Sequence, residues 1–109
     1  MVVASKEALE RPTELLVQAY AAAGYISFVT VGGKENRAWM LRHGAAAWHA
    51  AGVIHSDIQR GFIRAEVISF ADLVAHGGET GAKRAGKQRL ENRDYIVQDY
   101  DIIHFRFNR

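Results

Sequence analysis

Between residues 7 and 23 the chain reads EALERPTELLVQAYAAA, with Leu15, Leu16, Ala19, Tyr20 and Ala23 recurring at helical intervals. With Pro12 and Thr13 near its start and Gly24 at its end, this stretch predicts an amphipathic helix. The pattern then changes period. YISFVTV alternates and is rich in β-formers, Gly32-Gly33 follows as a turn, and ENRAWML comes next, so two strands around a glycine pair predict a hairpin. The alanine-rich AAAWHAAGVIH from Ala45 predicts a short helix that Gly52 should stop, leaving Val53 and Ile54 as apolar anchors.

FIRAEVISF predicts a strand with Ile63, Ala65 and Val67 on one side and Arg64 and Glu66 on the other. FADLVAHGG reads as one or two helical turns closed by Gly77-Gly78, and ETGAKRAG as a loop or weak helix. In RDYIVQDYDIIHFRF two β-rich runs, YIVQ and IIHFRF, flank a turn at Asp99-Tyr100-Asp101. Four or five strands with short inserted helices describe one α+β domain, the size expected of a single core in 109 residues.

Composition narrows the classes of function. Without cysteine, disulfides, thiolate metal sites and cysteine catalysis are excluded. No apolar run reaches the roughly 18 residues of a membrane span, and MVVASKEALE lacks the features of a secretory signal, which gives a cytoplasmic expectation with no membrane partner. The balance of 14 basic to 12 acidic residues is nearly even, so its distribution matters more. KRAGKQRLENR sets Lys83, Arg84, Lys87, Arg89 and Arg93 against Glu91 alone.

Within that run GAKRAGKQ has the glycine and lysine spacing of a phosphate-binding loop, Gly81 then Gly86-Lys87. Such a loop follows a buried strand and needs Ser or Thr after the lysine to hold magnesium. Gln88 stands there, and the residues upstream read as a capped helix, so the segment is expected to be a solvated basic loop. His43, His49, His55, His76 and His104 lack metal-ligand spacing, and His104 is expected to be a hydrogen-bonded structural residue within an apolar strand. His55-Ser56-Asp57 are adjacent and cannot face one another as a catalytic triad; Ser56-Asp57 reads as a turn cap. Trp39 reads as core, whereas Trp48 is open between packing and an exposed protein contact.

From Tyr25 onward the chain resembles the C-terminal TGS domain of the YchF/Obg-like ATPase family. The resemblance is carried by KENRAW (34–39), AAGVIHSD (50–57), RGFIRAEVISF (60–70), GGETGAKRAGKQRLE (77–91) and RDYIVQDYDIIHFRFN (93–108). It implies a β-grasp, ubiquitin-like fold over residues 25–109, with residues 1–24 as a helical lead-in from an ATPase body. It also implies a ribosome or ribosomal RNA partner, with ATP and magnesium handled by the full-length protein and none bound by this chain. On this reading the chain is not itself an enzyme and takes no small-molecule substrate. The pattern departs from the family at Trp48-His49, in place of Pro-Gln, at Tyr100, in place of Gly, and at Asn36 and Met40. Tyr100 therefore requires either a turn without positive φ or tolerated strain.

Two roles follow. In the first, Lys83, Arg84, Lys87, Arg89 and Arg93, with Arg37 and Arg42 from the hairpin, neutralise RNA phosphates; the alternative for this charge run is a solvated face. In the second, the domain docks on its own ATPase body as an intramolecular regulator through residues such as Trp48.

Overall fold

The computed structural model describes residues 24–31 and 36–108; the helix expected over 7–23 and the Gly32-Gly33 turn lie outside them. Strands β1 (Tyr25–Thr30) and β2 (Arg37–Arg42) form the expected antiparallel hairpin, pairing Tyr25 with Arg42 and Thr30 with Arg37. Next come α1 (Ala47–Ile54), α2 (Ser56–Arg60), β3 (Phe62–Ile68), α3 (Phe70–Ala75), α4 (Glu79–Arg84), β4 (Arg89–Glu91) and β5 (Asp101–Phe107). The five strands make one mixed sheet in the order β2-β1-β5-β3-β4. β1 and β5 run parallel, and every other pair is antiparallel.

Alternate residues of a strand face opposite sides of a sheet, and both sides carry apolar positions here. Ile26, Phe28, Leu41, Ala65, Val67, Ile103 and Phe105 form one buried cluster with Ala47, Ala50 and Ala51 of α1. Three fully buried alanines on one helical face let α1 lie close to the sheet. The larger buried side chains each contribute roughly 1.5–3 kcal/mol of transfer free energy. A smaller cluster on the other side joins Ile68 and Ile102 to Ala82 of α4, with Val29, Val31 and Leu73 around them.

Several local expectations change. Helix α1 runs through Gly52 to Ile54, its end held by the His55 amide donating to the Ala51 carbonyl; Gly52 leaves room for Gln59, whose Nε2 donates to the Trp48 carbonyl at 3.3 Å. Ser56-Asp57 opens the five-residue helix α2, and the cap comes from His55, whose Nδ1 accepts from the Asp57 amide at 3.0 Å. Ile63 is turned outward, 47% exposed, by a register shift between Phe62 and Arg64 against β5. His104 is exposed on β5, opposite Glu66 of β3, and is not a buried structural histidine.

YIVQ is not a strand. Ile96 makes a single bridge to Ala46, since the backbone of this segment serves the start of α1: the Ala47 amide donates to the Tyr95 carbonyl (2.8 Å) and the Trp48 amide to the Arg93 carbonyl (3.1 Å). Ala46 provides no side-chain cap, so these carbonyls satisfy donors that a helix start leaves open. The three-residue strand β4 carries no local signal, since Arg89 and Glu91 read in the sequence as part of the basic run.

Of GAKRAGKQ only residues 81–84 are helical, the weak-helix alternative for ETGAKRAG, and a turn leads on from there to β4. Gly81 lies inside α4, where a Cβ would come within 1.8 Å of the His76 carbonyl oxygen. Gly86, at φ 73°, ends the helix: its amide donates to Lys83 and that of Lys87 to Ala82, the paired bonds of a Schellman motif. Both glycines of the phosphate-loop spacing thus answer packing and capping needs.

Gly61→Ala would similarly press a methyl group against the Asn108 carbonyl at 1.8 Å. Gly61→Ala and Gly81→Ala are each expected to lower stability by about 1–3 kcal/mol, and Gly86→Ala, which puts a Cβ in the left-handed region, by about 1–2 kcal/mol, measured as shifts in the urea unfolding midpoint at unchanged slope.

Candidate functional site

The seven cations expected to form one surface are divided by the fold. Arg37 and Arg42 lie on β2 at one edge of the sheet and Arg89 on β4 at the other. At roughly 4.8 Å between neighbouring strands these edges are about 19 Å apart. Both hairpin arginines rest on aromatic rings, Arg37 over Trp39 at 5.1 Å and Arg42 over Tyr25 at 5.7 Å. Trp39 is partly buried against the core, as expected, and its indole N–H donates to Thr30 Oγ1 at 2.9 Å.

Lys83, Arg84 and Lys87 form a compact exposed group on α4 and its C-terminal cap. Lys83 pairs with Glu79 one turn earlier at 2.9 Å. Arg84 and Lys87 make no ion pair among the described residues. Packing of Ala82 against Ile68 and Ile102 fixes the helix that displays them over the middle of the sheet.

Arg89 has a different environment. Its Nε donates to Glu91 at 3.1 Å and its terminal nitrogen to the Tyr95 hydroxyl at 3.0 Å, while the guanidinium lies over the Tyr95 ring. Tyr95 in turn donates to Asp101 Oδ2 at 2.6 Å, which also accepts from the Gln98 amide at 2.9 Å. Arg89 is thus engaged by its own chain. Burial, followed by the hydrogen bond to Asp101, pushes the Tyr95 phenol well up, so it stays a donor.

Arg93 places its guanidinium 5.8 Å from the ring centre of the half-buried Trp48, whose other neighbour is the His49 ring edge. Beside them a shallow cleft of about 260 Å³ is lined by Ala46, Trp48, His49, Arg93 and Asp94. A larger one, about 650 Å³, is lined by residues including His55, Asp57, Arg60 and Phe107. Its polar rim is already paired, Asp57 lying 3.6 Å from His55 and 3.8 Å from Arg60. Among the described residues no three histidines, aspartates or glutamates converge as metal ligands, and no helix is long and apolar enough to cross a membrane.

Tyr100 takes the strained alternative. At φ 64° it is the one non-glycine residue in the left-handed region among those described. Its amide donates to the Ser27 carbonyl at 2.7 Å, the Ser27 amide donates to Asp99 Oδ1 at 2.9 Å, and its ring lies 5.6 Å from that of Phe70. These contacts hold a conformation that costs about 1–2 kcal/mol per residue in isolation.

The sequence family described as YchF-GTPase_C, "Protein of unknown function (DUF933)", matches residues 25–108. The chain belongs to this family. Over 95 residues it is 52% identical to the ribosome-binding ATPase YchF of Bacillus subtilis, a match covering 87% of this chain and 26% of that protein. Obg-like ATPase 1 of Danio rerio is 48% identical over 96 residues, covering 88% of this chain and 24% of that protein. The chain therefore spans about a quarter of the length of these relatives. The solved Schizosaccharomyces pombe YchF GTPase superposes with a TM-score of 0.77 at 30% identity, covering 95% of this chain and 30% of that one. The α+β sheet with short helices thus has the architecture of the family's C-terminal region.

Burial raises the Asp101 carboxyl above its ordinary value, against the opposing hydrogen bonds from Tyr95 and Gln98 and the charge of Arg89. A raised folded-state value means that the native protein binds this proton more readily. Its contribution is fully present below the unfolded value of 3.8 and is lost as pH rises through the folded value. Tyr95→Phe, which removes a donor from the carboxylate, is expected to cost about 1–3 kcal/mol at neutral pH and to move the Asp101 titration further up. Urea unfolding and carboxyl NMR of Asp101 check the two effects.

Proposed function

We propose that this chain is the non-catalytic β-grasp TGS domain of a YchF-type ribosome-binding ATPase and that it engages the ribosome through α4. The strand order β2-β1-β5-β3-β4, with a parallel central pair and α1 packed across one face, supports the β-grasp reading. The names of relatives about half identical to the chain supply the ribosome, and with it a cytoplasmic location. The observation that carries the contact is the exposed Lys83, Arg84 and Lys87 group, in which Glu79 is the paired carboxylate. Basic side chains in a last helical turn also complement the helix dipole, so Lys83 and Arg84 serve local stability as well.

Nucleotide hydrolysis belongs on this reading to the remainder of a full-length protein, where ATP and magnesium would act. Arg37, Arg42 and Arg93 are secondary in this assignment because they lie on β2 and in the turn after β4, away from α4, and Arg89 is structural.

A second reading, docking on the ATPase body without nucleic-acid contact, is favoured by exposed Phe70, Val74 and Tyr100, at 50%, 63% and 40%. These lie on α3 and the turn packed against it. Trp48, half-buried and with Arg93 near its ring, is a weaker anchor. Adding the chain in trans to the ATPase body separates the readings, since altered turnover without ribosome binding favours docking.

For the leading reading, co-sedimentation with ribosomes is expected at low salt and should be lost in the triple Lys83→Glu, Arg84→Glu, Lys87→Glu variant. If these three meet phosphates, log affinity for single-stranded RNA should fall against log salt with a slope of roughly −2. Undiminished pelleting of the triple variant would exclude α4 as the contact.

A further inference from the structure

We infer that the outer edge of β2, with the cleft between β2 and α1, is a docking site for an extended peptide carrying apolar side chains and an acidic flank. This goes beyond the ribosome contact on α4 and uses different residues. β2 closes the sheet at one end, so the backbone groups on its outer side have no strand partner among the described residues. An edge of six residues can accept an added strand through main-chain hydrogen bonds, with side chains of alternating positions entering adjacent pockets.

Such a pocket lies beside it. A cleft of about 600 Å³ is lined by Met40 and Leu41 of β2, Gly52 and Val53 of α1, and His43 and His49 at its rim, among others. Val53 is 43% exposed although it belongs to the α1 segment expected to anchor in the core. At Gly52 the helix presents no side chain to the cleft, and the Gln59 side chain lies across it.

Charge selects the occupant. Residues 36–45 include Arg37, Arg42 and His43 and no acidic residue, and no carboxylate lines the cleft. Arg37 and Arg42 bracket the strand, each held on an aromatic ring, which fixes their positions without neutralising them. A basic peptide would meet like charge at both ends of the strand, whereas an acidic one would be steered to it. Nucleic acid is disfavoured here because the groove's lining offers an apolar slot and an edge of backbone donors and acceptors.

The test uses a synthetic peptide of alternating Val and Ile flanked by Asp and Glu, titrated into the isotopically labelled chain. Expected are amide shifts confined to β2, Gly52 and Val53, slowed hydrogen exchange at outward-facing β2 amides, and a dissociation constant on the order of 10⁻⁴ M. N-methylation of alternate peptide amides should abolish binding, and replacing the acids by lysine should weaken it at least tenfold. Arg42→Glu should weaken it comparably, and Val53→Asp should do so while leaving the β1–β2 amide pattern intact. Absence of binding, or shifts centred on β4 or α4, would overturn the site. Dimerisation of the peptide-free chain through the same amides would assign the edge to a second copy. Tighter displacement by single-stranded RNA would assign it to nucleic acid. Loss of ribosome pelleting in the α4 triple variant bears on the other surface alone, so the two readings fail separately.

Discussion

A buried carboxylate at the start of the central strand organises this domain. Asp101 is 1% exposed, and a charge so placed is unfavourable unless donors surround it. The Tyr95 hydroxyl and the Gln98 amide provide them, and Arg89 reaches in from the edge strand β4 through the same hydroxyl. The segment between β4 and β5 is thereby drawn onto the sheet. From that position Val97 enters the core, and the carbonyls of Arg93 and Tyr95 complete the start of α1. One polar cluster therefore couples two strands, a connecting segment and the principal helix.

That coupling also decides which surface charges are free. Arg89 reads in the sequence as another member of a basic run, yet its guanidinium is shared between Glu91 and Tyr95. Arg93, whose carbonyl helps cap α1, lays its side chain near Trp48. Arg84 and Lys87, with neither a carboxylate nor a ring as partner among the described residues, stand beside Lys83 on a helix that two glycines make possible. Gly81 permits the approach of α4 to the end of α3, and Gly86 supplies the left-handed turn that presents Lys87. A spacing that imitates a phosphate loop arises here from helix packing and helix termination.

The two surfaces we distinguish differ in their chemistry. On α4 and its C-terminal cap exposed cations stand on a polar surface, suited to phosphates whose exact positions need not be fixed. At β2 the arginines are braced by aromatic rings beside an apolar slot and an unpaired backbone edge, which suits an ordered strand. Their residues lie on separate elements, and neither requires a side chain that the Asp101 cluster uses.

The hairpin strands, β3, β5, a helix after Ala45 and the helical character of 70–75 were legible in the sequence because each is set by local periodicity and by residues that punctuate it, such as Gly77. Family membership was legible for a related reason, since residues in order at fixed spacing keep that information without a structure. Tertiary contacts decided the remainder. Gly52 sits within α1 where Gln59 packs over it in the space a side chain would take, YIVQ leaves the sheet because α1 needs its carbonyls, and Tyr100 is held at positive φ by Ser27 and Phe70. Which cations are free was also beyond a linear reading, because Arg84 and Arg89 differ only in partners such as Tyr95, whose position the folding of the intervening chain determines.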